Sequence, residues 1–262
     1  MTTSSSRKSS SGNPRVVLII QARMGSTRLP GKSMMDLAGA PLVGRILERV
    51  KRCKAIDQIV LATSERPENA ILVDLAQEYG VASFVGSEND LIDRYYQAAL
   101  QFKADIVGRL PADNVTSEPS EIDRIANFHR GFDGAYSSNL LQILGNGYPD
   151  GIGAEMMSFW ALEEIWKTEM DKTRREHVGV CFYDFKNDRV VDPDRFPVAT
   201  VTCPAAFARP DIKLDVNTAA EFDYMKNLYE SLYPANPNFN IQDIIKWHDE
   251  TWLPTRKESN GC

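Results

Sequence analysis

Short apolar runs alternate along this chain with longer segments in which apolar residues recur every three or four positions. The runs predict strands at 16–22, 58–63, 105–110, 134–137, 154–157, 198–203 and 212–216. The helical spacing predicts helices that start at 41 and 67, and helices at 90–102, 118–129, 158–167, 174–185, 218–232 and 241–247. Because strands and helices alternate, we expect an α/β fold in three layers, with helices on both faces of a mainly parallel sheet.

One stretch does not fit either pattern. Residues 140–153 are rich in residues that break regular structure, namely Gly145, Gly147, Pro149, Gly151 and Gly153. They predict a mobile loop. The chain shows no internal repeat and no linker, so we expect one domain at 14–253 with a loop-rich subregion near 138–200. The serine-rich residues 1–13 and the end at 254–262 are expected to be disordered tails.

Composition narrows the class of protein. The 262 residues are 43% hydrophobic and 25% charged, with a net charge of −6, which favours a soluble protein and argues against a nucleic-acid partner. No segment approaches the roughly 18 consecutive apolar residues that span a bilayer, so we expect no membrane partner. Four scattered cysteines predict reduced thiols in a cytoplasmic protein, without a zinc site or a disulfide framework: Cys53, Cys181, Cys203 and Cys262.

The clearest candidate motif directly follows the first strand. Residues 19–32 read Ile-Ile-Gln-Ala-Arg-Met-Gly-Ser-Thr-Arg-Leu-Pro-Gly-Lys. A parallel sheet delivers a phosphate-binding loop at this position, and Gly25 would let the backbone approach an anion. Hydroxyl donors and positive charges for a polyphosphate are also present, namely Ser26, Thr27, Arg23, Arg28 and Lys32. The motif therefore predicts a nucleotide loop, with a cation-rich surface turn as the alternative.

This loop is not a P-loop, because five residues rather than four separate Gly25 from Gly31 and Pro30 lacks an N–H donor. The segment resembles the signature of the cytidylyltransferases that make CMP-activated sugars. Among them are the CMP-Kdo and CMP-sialic acid synthetases, and the SpsF-like branch of spore-coat polysaccharide proteins is most similar. The resemblance covers about residues 15–253. It implies a Rossmann-like sheet of the nucleotide-diphospho-sugar transferase type.

A candidate metal ligand follows the third central strand, where the chain reads Arg109-Leu-Pro-Ala-Asp113-Asn. A carboxylate just past the end of a strand faces the ligand crevice of an open α/β sheet and suits Mg²⁺. From the residues alone, a turn or helix-capping aspartate remains the alternative. The resemblance implies that Asp113 binds the metal, because the family has an Arg-x-x-x-Asp pattern here.

The second metal position departs from the family pattern. The family ends its core with Asp-x-Asp-Thr or x-x-Asp-Thr, whereas this chain has Asp215-Val-Asn217-Thr218. Two residues apart on a strand, Asp215 and Asn217 would point to the same face, and an amide oxygen can also bind a hard cation. The alternative is that Asn217 only caps the following helix. The expected metal ligands are Asp113, Asp215 and Asn217.

The resemblance also assigns the remaining site residues. It implies that the nucleotide is bound by Gln21, Ala22, Arg23, Gly25, Ser26, Arg28, Lys32, Ala62, Thr63, Ser64, Ser87 and Arg94. It implies that the acceptor is bound by Arg109, Arg174, Arg175 and His177. A solvated arginine at 94 and an exposed helix face at 174–177 are the structural alternatives. The expected catalytic residues are Arg23, Lys32 and Asp113.

The resulting prediction is a Mg²⁺-dependent cytidylyltransferase. It would transfer CMP from CTP to an acidic sugar or to a phosphate or phosphonate acceptor in surface polysaccharide biosynthesis, and release pyrophosphate. We expect a homodimer. Two other hypotheses remain open: a catalytically silent, nucleotide-binding partner subunit, and a glycosyltransferase of similar fold.

Overall fold

The computed structural model describes residues 12–140 and 142–254. The predicted tails and Cys262 therefore lie almost entirely outside the described residues. The described residues form nine strands: β1 Val16–Gln21, β2 Gln58–Ser64, β3 Ala82–Gly86, β4 Ile106–Pro111, β5 Tyr136–Ser138, β6 Glu155–Ser158, β7 Tyr183–Asp184, β8 Arg189–Val190 and β9 Val198–Ala199. The helices are α1 Leu42–Val50, α2 Ala70–Glu78, α3 Leu91–Gln101, α4 Pro119–Gly131, α5 Phe159–Thr168, α6 Lys172–Arg175, α7 Ala219–Leu232 and α8 Ile241–Trp247.

Seven of the strands form one sheet in the order β3-β2-β1-β4-β6-β5-β9, and β7 and β8 form a separate hairpin. Within the sheet, only β6 runs antiparallel to its neighbours, so the predicted mainly parallel sheet is confirmed. The strand order reverses between β1 and β4. Such a reversal opens a crevice at the carboxyl ends of the two strands, which is where open α/β sheets bind ligands.

Helices cover both faces of the sheet. Along β1, Leu18 and Ile20 enter a core formed with α1, α2, α4, α7 and α8, whereas Val17 and Ile19 enter a second core formed with α3 and α5. All four side chains are completely buried. This alternation is expected for a strand that is covered on both faces, and it confirms the three-layer α/β/α architecture. None of the helices in the described part of the chain is long and apolar enough to cross a membrane.

The helix predicted at 174–185 is wrong. Helix α6 ends at Arg175, a single 3-10 turn follows at Val178–Cys181, and the chain then enters β7. Val178, Phe182 and Tyr183 are all buried, and the Phe182 ring stacks on Tyr136 with 5.1 Å between ring centroids. Burial of these side chains against the sheet overrides the helical spacing, because tertiary packing outweighs local propensity.

Several smaller expectations also need correction. Strand β3 was not predicted, because this edge strand is only partly buried and has a short apolar pattern. Residues 212–216 form only single bridges, Asn114 with Asp215 and Asp150 with Lys213, and the strand predicted at 198–203 is limited to β9. Ser158 precedes α5 without capping it, since its hydroxyl donates to the Gly134 carbonyl.

The glycine-rich stretch is partly buried. Tyr148 and Ile152 are completely buried, and the regular structure in this stretch is one 3-10 turn at Ile143–Gly145. At Gly151, φ is +90°, and an added Cβ would lie 2.8 Å from the Leu214 carbonyl carbon. Glycine is therefore required there, and this close approach places Asp150 beside the 212–216 segment.

Candidate active site

A cavity of about 360 Å³ lies at the carboxyl ends of β1 and β4, and we call it the central cavity. Its walls include many of the residues that the sequence predicted, namely Gln21, Ala22, Arg23, Ser26, Arg28, Lys32, Arg109, Asp113, His177, Asp215 and Asn217. These residues come from distant parts of the chain. Their convergence on one crevice at the strand reversal makes this cavity the candidate active site.

The loop after β1 presents backbone donors at this site. Asn69 Oδ1 accepts from the Met24 N–H at 2.8 Å, and the Ser33 hydroxyl donates to the Arg23 carbonyl at 3.0 Å, so both neighbouring segments hold the loop. The N–H groups of the intervening loop residues Gly25, Thr27 and Arg28 have no acceptor among the described residues. Free N–H groups on one turn, beside arginine side chains, form a binding site for phosphate oxygens.

Lys32 connects the loop to the opposite wall. Its ammonium group donates to the Val216 carbonyl at 2.6 Å and lies 3.6 Å from Asp113 Oδ2. The backbone reinforces this arrangement, because the Val216 N–H donates to the Asp113 carbonyl at 3.0 Å. One positive charge is therefore fixed between the loop after β1 and the carboxylates.

Three carboxylates share the opposite wall: Asp113, Asp150 and Asp215. Burial, and after it the negative charges of Asp215 and Asp113, raises the pKa of Asp150 to about 6. Burial, followed by Asp113 and Glu221, also raises the pKa of Asp215. Lys32 offsets only part of the negative charge of this wall, which therefore suits a hard divalent cation. No three His, Cys, Asp or Glu side chains in the described residues could hold a metal by themselves. A cation here would take further oxygen ligands from a bound molecule.

Asp150 was missed by the sequence analysis. It lies in the stretch that was interpreted only as a mobile loop, and its sole sequence signal is the Pro149-Asp-Gly151 triplet, which is typical of a turn. Its place in the site results from two backbone hydrogen bonds to the 212–216 segment, from Asp150 N–H to Ile212 and from Leu214 N–H to Asp150, both at 3.2 Å.

Asn217 does not cap the helix that follows it. Thr218 caps α7 and forms a capping box with Glu221. The Asn217 side chain instead lies in the cavity, where its Oδ1 accepts from Arg28 at 2.6 Å and its Nδ2 donates to Asp215. The alternative of a helix cap is therefore wrong, and the two side chains do lie on the same side of the chain.

A buried network supports the floor of the cavity. Arg109 forms an ion pair with Glu155, and its Nε donates to Gln21 Oε1 at 3.2 Å. The Tyr95 hydroxyl donates to the same Gln21 oxygen at 2.9 Å. Because Glu155 neutralises Arg109, this arginine adds a shaped hydrogen-bonding surface more than net positive charge.

Three of the predicted nucleotide-binding residues, at 62–64, lie outside the central cavity. Ala62, Thr63 and Ser64 are buried, and the Ser64 hydroxyl donates to Glu88. A side cavity of about 190 Å³ shares Arg23 and His177 with the central cavity and is also lined by Glu88 and Arg94. Arg94 is not solvated, because it is buried and donates to the Ser87 carbonyl, so it holds this turn in place.

The predicted acceptor-binding residues at 174–177 are divided between two environments. His177 lines both cavities. Arg174 instead pairs with Glu169 and Arg175 with Asp90, each at 2.7 Å, and neither is part of the central cavity wall. These two arginines therefore connect α6 to its surroundings.

The chain matches the protein-family model described as Cytidylyltransferase over residues 17–240. An uncharacterised protein of Methanocaldococcus jannaschii is 30% identical over 238 residues, which cover 90% of this chain and 91% of that protein. The spore coat polysaccharide biosynthesis protein SpsF of Bacillus subtilis is 29% identical over 237 residues, which cover 88% and 92%.

Solved structures have the same architecture. A cytidylyltransferase from Leptospira borgpetersenii superimposes with a TM-score of 0.80 at 25% identity, covering 90% of this chain and 94% of that one. Two more distant structures share the fold at 16% identity. One is a CMP:2-keto-3-deoxy-manno-octonic acid synthetase complexed with CTP (TM-score 0.59, covering 83% and 99%). The other is a Mycobacterium tuberculosis protein in complex with manganese (TM-score 0.55, covering 82% and 98%).

Proposed function

This chain belongs to the cytidylyltransferase family, and we propose that it transfers CMP from CTP to an acidic sugar or to a phosphate or phosphonate acceptor, with release of pyrophosphate. The observation that carries the proposal is the two-sided central cavity. Free N–H groups and cations occupy one wall, and carboxylates suited to a divalent cation occupy the other.

The loop after β1 would bind the triphosphate. Its free N–H groups and the Ser26 hydroxyl can donate to phosphate oxygens, while Arg23 and Arg28 balance their charge. Arg23 is half-exposed and 3.3 Å from Glu88, so a phosphate can compete for it at low cost. Side-chain contacts to the base are expected in the side cavity near Arg94.

Mg²⁺ fits the carboxylate wall, where Asp113 and Asp215 would hold it and Asn217 could add an amide oxygen. When bound, the ion would neutralise phosphate charge and make the α-phosphorus more electrophilic. A protein of the same fold that was crystallised with manganese is consistent with divalent metal use.

In the reaction, a bond forms between an acceptor oxygen and the α-phosphorus, and the bond from the α-phosphorus to the bridging oxygen of the β-phosphate breaks. Negative charge builds up on the departing pyrophosphate. Lys32, already fixed at the junction of the two walls, is placed to neutralise this charge.

One relative supports a biological setting for this activity. Similarity along most of both chains to the SpsF protein of Bacillus subtilis supports a role in surface polysaccharide biosynthesis. We also propose that the protein acts as a homodimer in the cytoplasm.

The melting temperature tests the nucleotide and metal assignment. CTP alone should raise it modestly and CTP with Mg²⁺ clearly more, because a ligand that binds the native state stabilises it. ATP and UTP at the same concentration are the controls, and equal stabilisation by either would contradict the cytidylyl assignment. Binding of CTP and Mg²⁺ without pyrophosphate release with any acceptor would instead favour a catalytically silent subunit.

A further inference from the structure

A pocket of about 190 Å³ lies beside the end of α1 and shares no lining residue with the central cavity. We call it the arginine pocket. Three arginines and one glutamate are the charged residues of its walls, which include Arg45, Glu48, Arg49, Arg52, Tyr233 and Asn238. An excess of positive charge around a concave site attracts anions.

Backbone carbonyls fix Arg49 in the wall of this pocket. Its Nε donates to the Ser117 carbonyl at 2.8 Å and its Nη1 to the Phe239 carbonyl at 3.1 Å. The residue is only 3% exposed, yet its Nη2 has no hydrogen-bond acceptor in the described part of the chain. The Glu118 Oε2 pairs with Nη2 at 3.6 Å, which is too far for a hydrogen bond. Because a buried N–H without an acceptor costs free energy, an acceptor atom of a bound molecule would stabilise this nitrogen.

Arg52 adds a second guanidinium group to the same pocket. Its Nη1 donates to the amide oxygen of Asn238 at 2.9 Å, so this hydrogen bond leaves the positive charge of Arg52 in place. Burial, and after it the positive charge of Arg49, lowers the pKa of Arg52. The two arginines therefore repel each other across the pocket, and an anion bound between them would relieve the repulsion.

The one carboxylate of the pocket is already neutralised. Both oxygens of Glu48 accept from the Nη1 of Arg45, at 3.1 and 2.9 Å, and the Arg45 guanidinium lies 3.8 Å from the centroid of the Tyr233 ring. Arg49 and Arg52 are therefore the two arginines available to a ligand. A phosphate group suits them, because it carries a charge of about −1.5 to −2 at pH 7 and offers three acceptor oxygens that can bind both guanidinium groups at once.

We propose that the arginine pocket is a second anion-binding site, which holds the phosphate group of inorganic phosphate or of a small phosphomonoester between Arg49 and Arg52. The Nη2 of Arg49 and the remaining N–H groups of Arg52 donate to the phosphate oxygens. The volume of the pocket is sufficient, since one water molecule needs only roughly 10–15 Å³. This site is separate from the central cavity, so the inference does not depend on the proposed transfer of CMP.

Equilibrium dialysis with radiolabelled inorganic phosphate at constant ionic strength tests the site. The parent chain is the double variant Arg28→Ala/Lys32→Ala, in which phosphate binding in the central cavity is weakened. It should still bind phosphate saturably. Adding Arg52→Gln should raise the Kd about tenfold or more, the scale for loss of a hydrogen bond from a charged group. Adding Lys54→Gln, which removes an exposed cation close in sequence but outside the pocket walls, should leave the Kd unchanged.

A second variant separates phosphate binding from a purely structural role of Arg52. Asn238→Asp places a carboxylate beside Arg52 at an exposed position and keeps the arginine, so it should raise the phosphate Kd about tenfold without lowering the melting temperature. Competition by glycerol 3-phosphate distinguishes the two sources, because tighter binding than inorganic phosphate assigns a phosphomonoester and equal or weaker binding assigns free phosphate. Absence of saturable binding in the parent chain, or an unchanged Kd in Asn238→Asp, would overturn the inference.

Discussion

The two sides of the proposed active site are built in different ways. The nucleotide side consists largely of one continuous segment, 21–33, together with the ends of β1 and β4. The carboxylate side combines Asp113, Asp150 and Asp215, which come from three separate segments and meet only in the folded chain. A continuous segment leaves a motif that can be recognised in a sequence. A surface assembled from separate loops leaves none, because each piece alone looks like an ordinary turn.

The two sides also differ in charge. Arg23, Arg28 and Lys32 line the cavity from the loop after β1, whereas Asp113, Asp150 and Asp215 line the opposite wall. A polyanion such as a triphosphate fits the first side and is repelled by the second unless a cation intervenes. The five predictions below probe this division, from the largest expected effect to the smallest.

Replacement of Asp113 should have the largest effect. We expect Asp113→Ala to abolish pyrophosphate release from CTP, since it removes the carboxylate at the junction of both walls. Stability should change little, because this side chain is partly exposed. Asp223→Ala on the exposed face of α7 is the matched control. Turnover that survives in Asp113→Ala would refute the proposed metal position.

Lys32→Ala should lower kcat by roughly 10²–10³, the scale for loss of one preorganised electrostatic group. The reason is its fixed position beside Asp113 and the Val216 carbonyl, where charge on the leaving pyrophosphate would develop. Steady-state kinetics with saturating CTP measures the effect, and the exposed Lys246→Ala provides the comparison. Full turnover together with a normal CTP affinity would eliminate this role for Lys32.

Variants of Asp215 and Asn217 test whether Mg²⁺ binds at the position where this chain has Asn217 instead of the family's aspartate. Asp215→Ala and Asn217→Ala should each weaken the apparent affinity for Mg²⁺ about tenfold, and Asn217→Asp should retain or improve it, because a carboxylate is a stronger ligand for a hard cation than an amide. Titration of Mg²⁺ in the pyrophosphate-release assay measures this affinity. If Asn217→Ala binds Mg²⁺ as the native chain does, Asn217 serves only to hold Arg28 and Asp215.

Arg175→Ala should affect stability and not catalysis. This side chain pairs with Asp90 and donates to the Trp166 and Glu169 carbonyls, so its loss should lower the free energy of unfolding by about 1–2 kcal/mol. Urea denaturation measures the loss, and both KM values should remain unchanged. A raised acceptor KM would show that Arg175 contacts the acceptor, as the sequence predicted, and would contradict a purely structural role for this arginine.

The smallest effect concerns pH. The pKa of Asp150 is about 6 in the folded protein, above its ordinary value of 3.8, so the folded state loses stability as the pH rises through this interval. Without metal, Asp150→Asn should therefore raise the free energy of unfolding by about 1 kcal/mol above pH 6. The gain is smaller than the full pKa shift would imply, because solvent screens the charge of this partly exposed carboxylate. The difference should vanish below about pH 4. Urea denaturation in EDTA at several pH values measures it, and a difference that does not depend on pH would contradict the proposed repulsion.

The sequence predicted most of the regular framework. Helix α8 has the predicted bounds, Ile241–Trp247, and α7 begins at Ala219, one residue after the predicted start at 218, because apolar spacing and helix caps involve near neighbours. The wrong predictions concern segments whose conformation is determined by tertiary packing rather than by local sequence. Residues 176–185 have the apolar spacing of a helix. In the folded chain, however, Gly179 packs against Glu155, and a Cβ added at Gly179 would lie 3.1 Å from the Glu155 Oε2. The neighbouring apolar side chains, including Val178 and Phe182, are buried in the core.

By itself, then, the sequence determined the three-layer sheet, the loop after β1 and the family, since each depends on contiguous residues and on local periodicity. Only the tertiary structure decided that Arg174 and Arg175 are held by Glu169 and Asp90, and that Asp150 joins the carboxylate wall. The physical reason is that an ion pair or a shared cavity depends on distances between segments far apart in the chain. Those distances are set by the packing of buried side chains, such as the close approach of Gly151 to Leu214, and not by the order of residues.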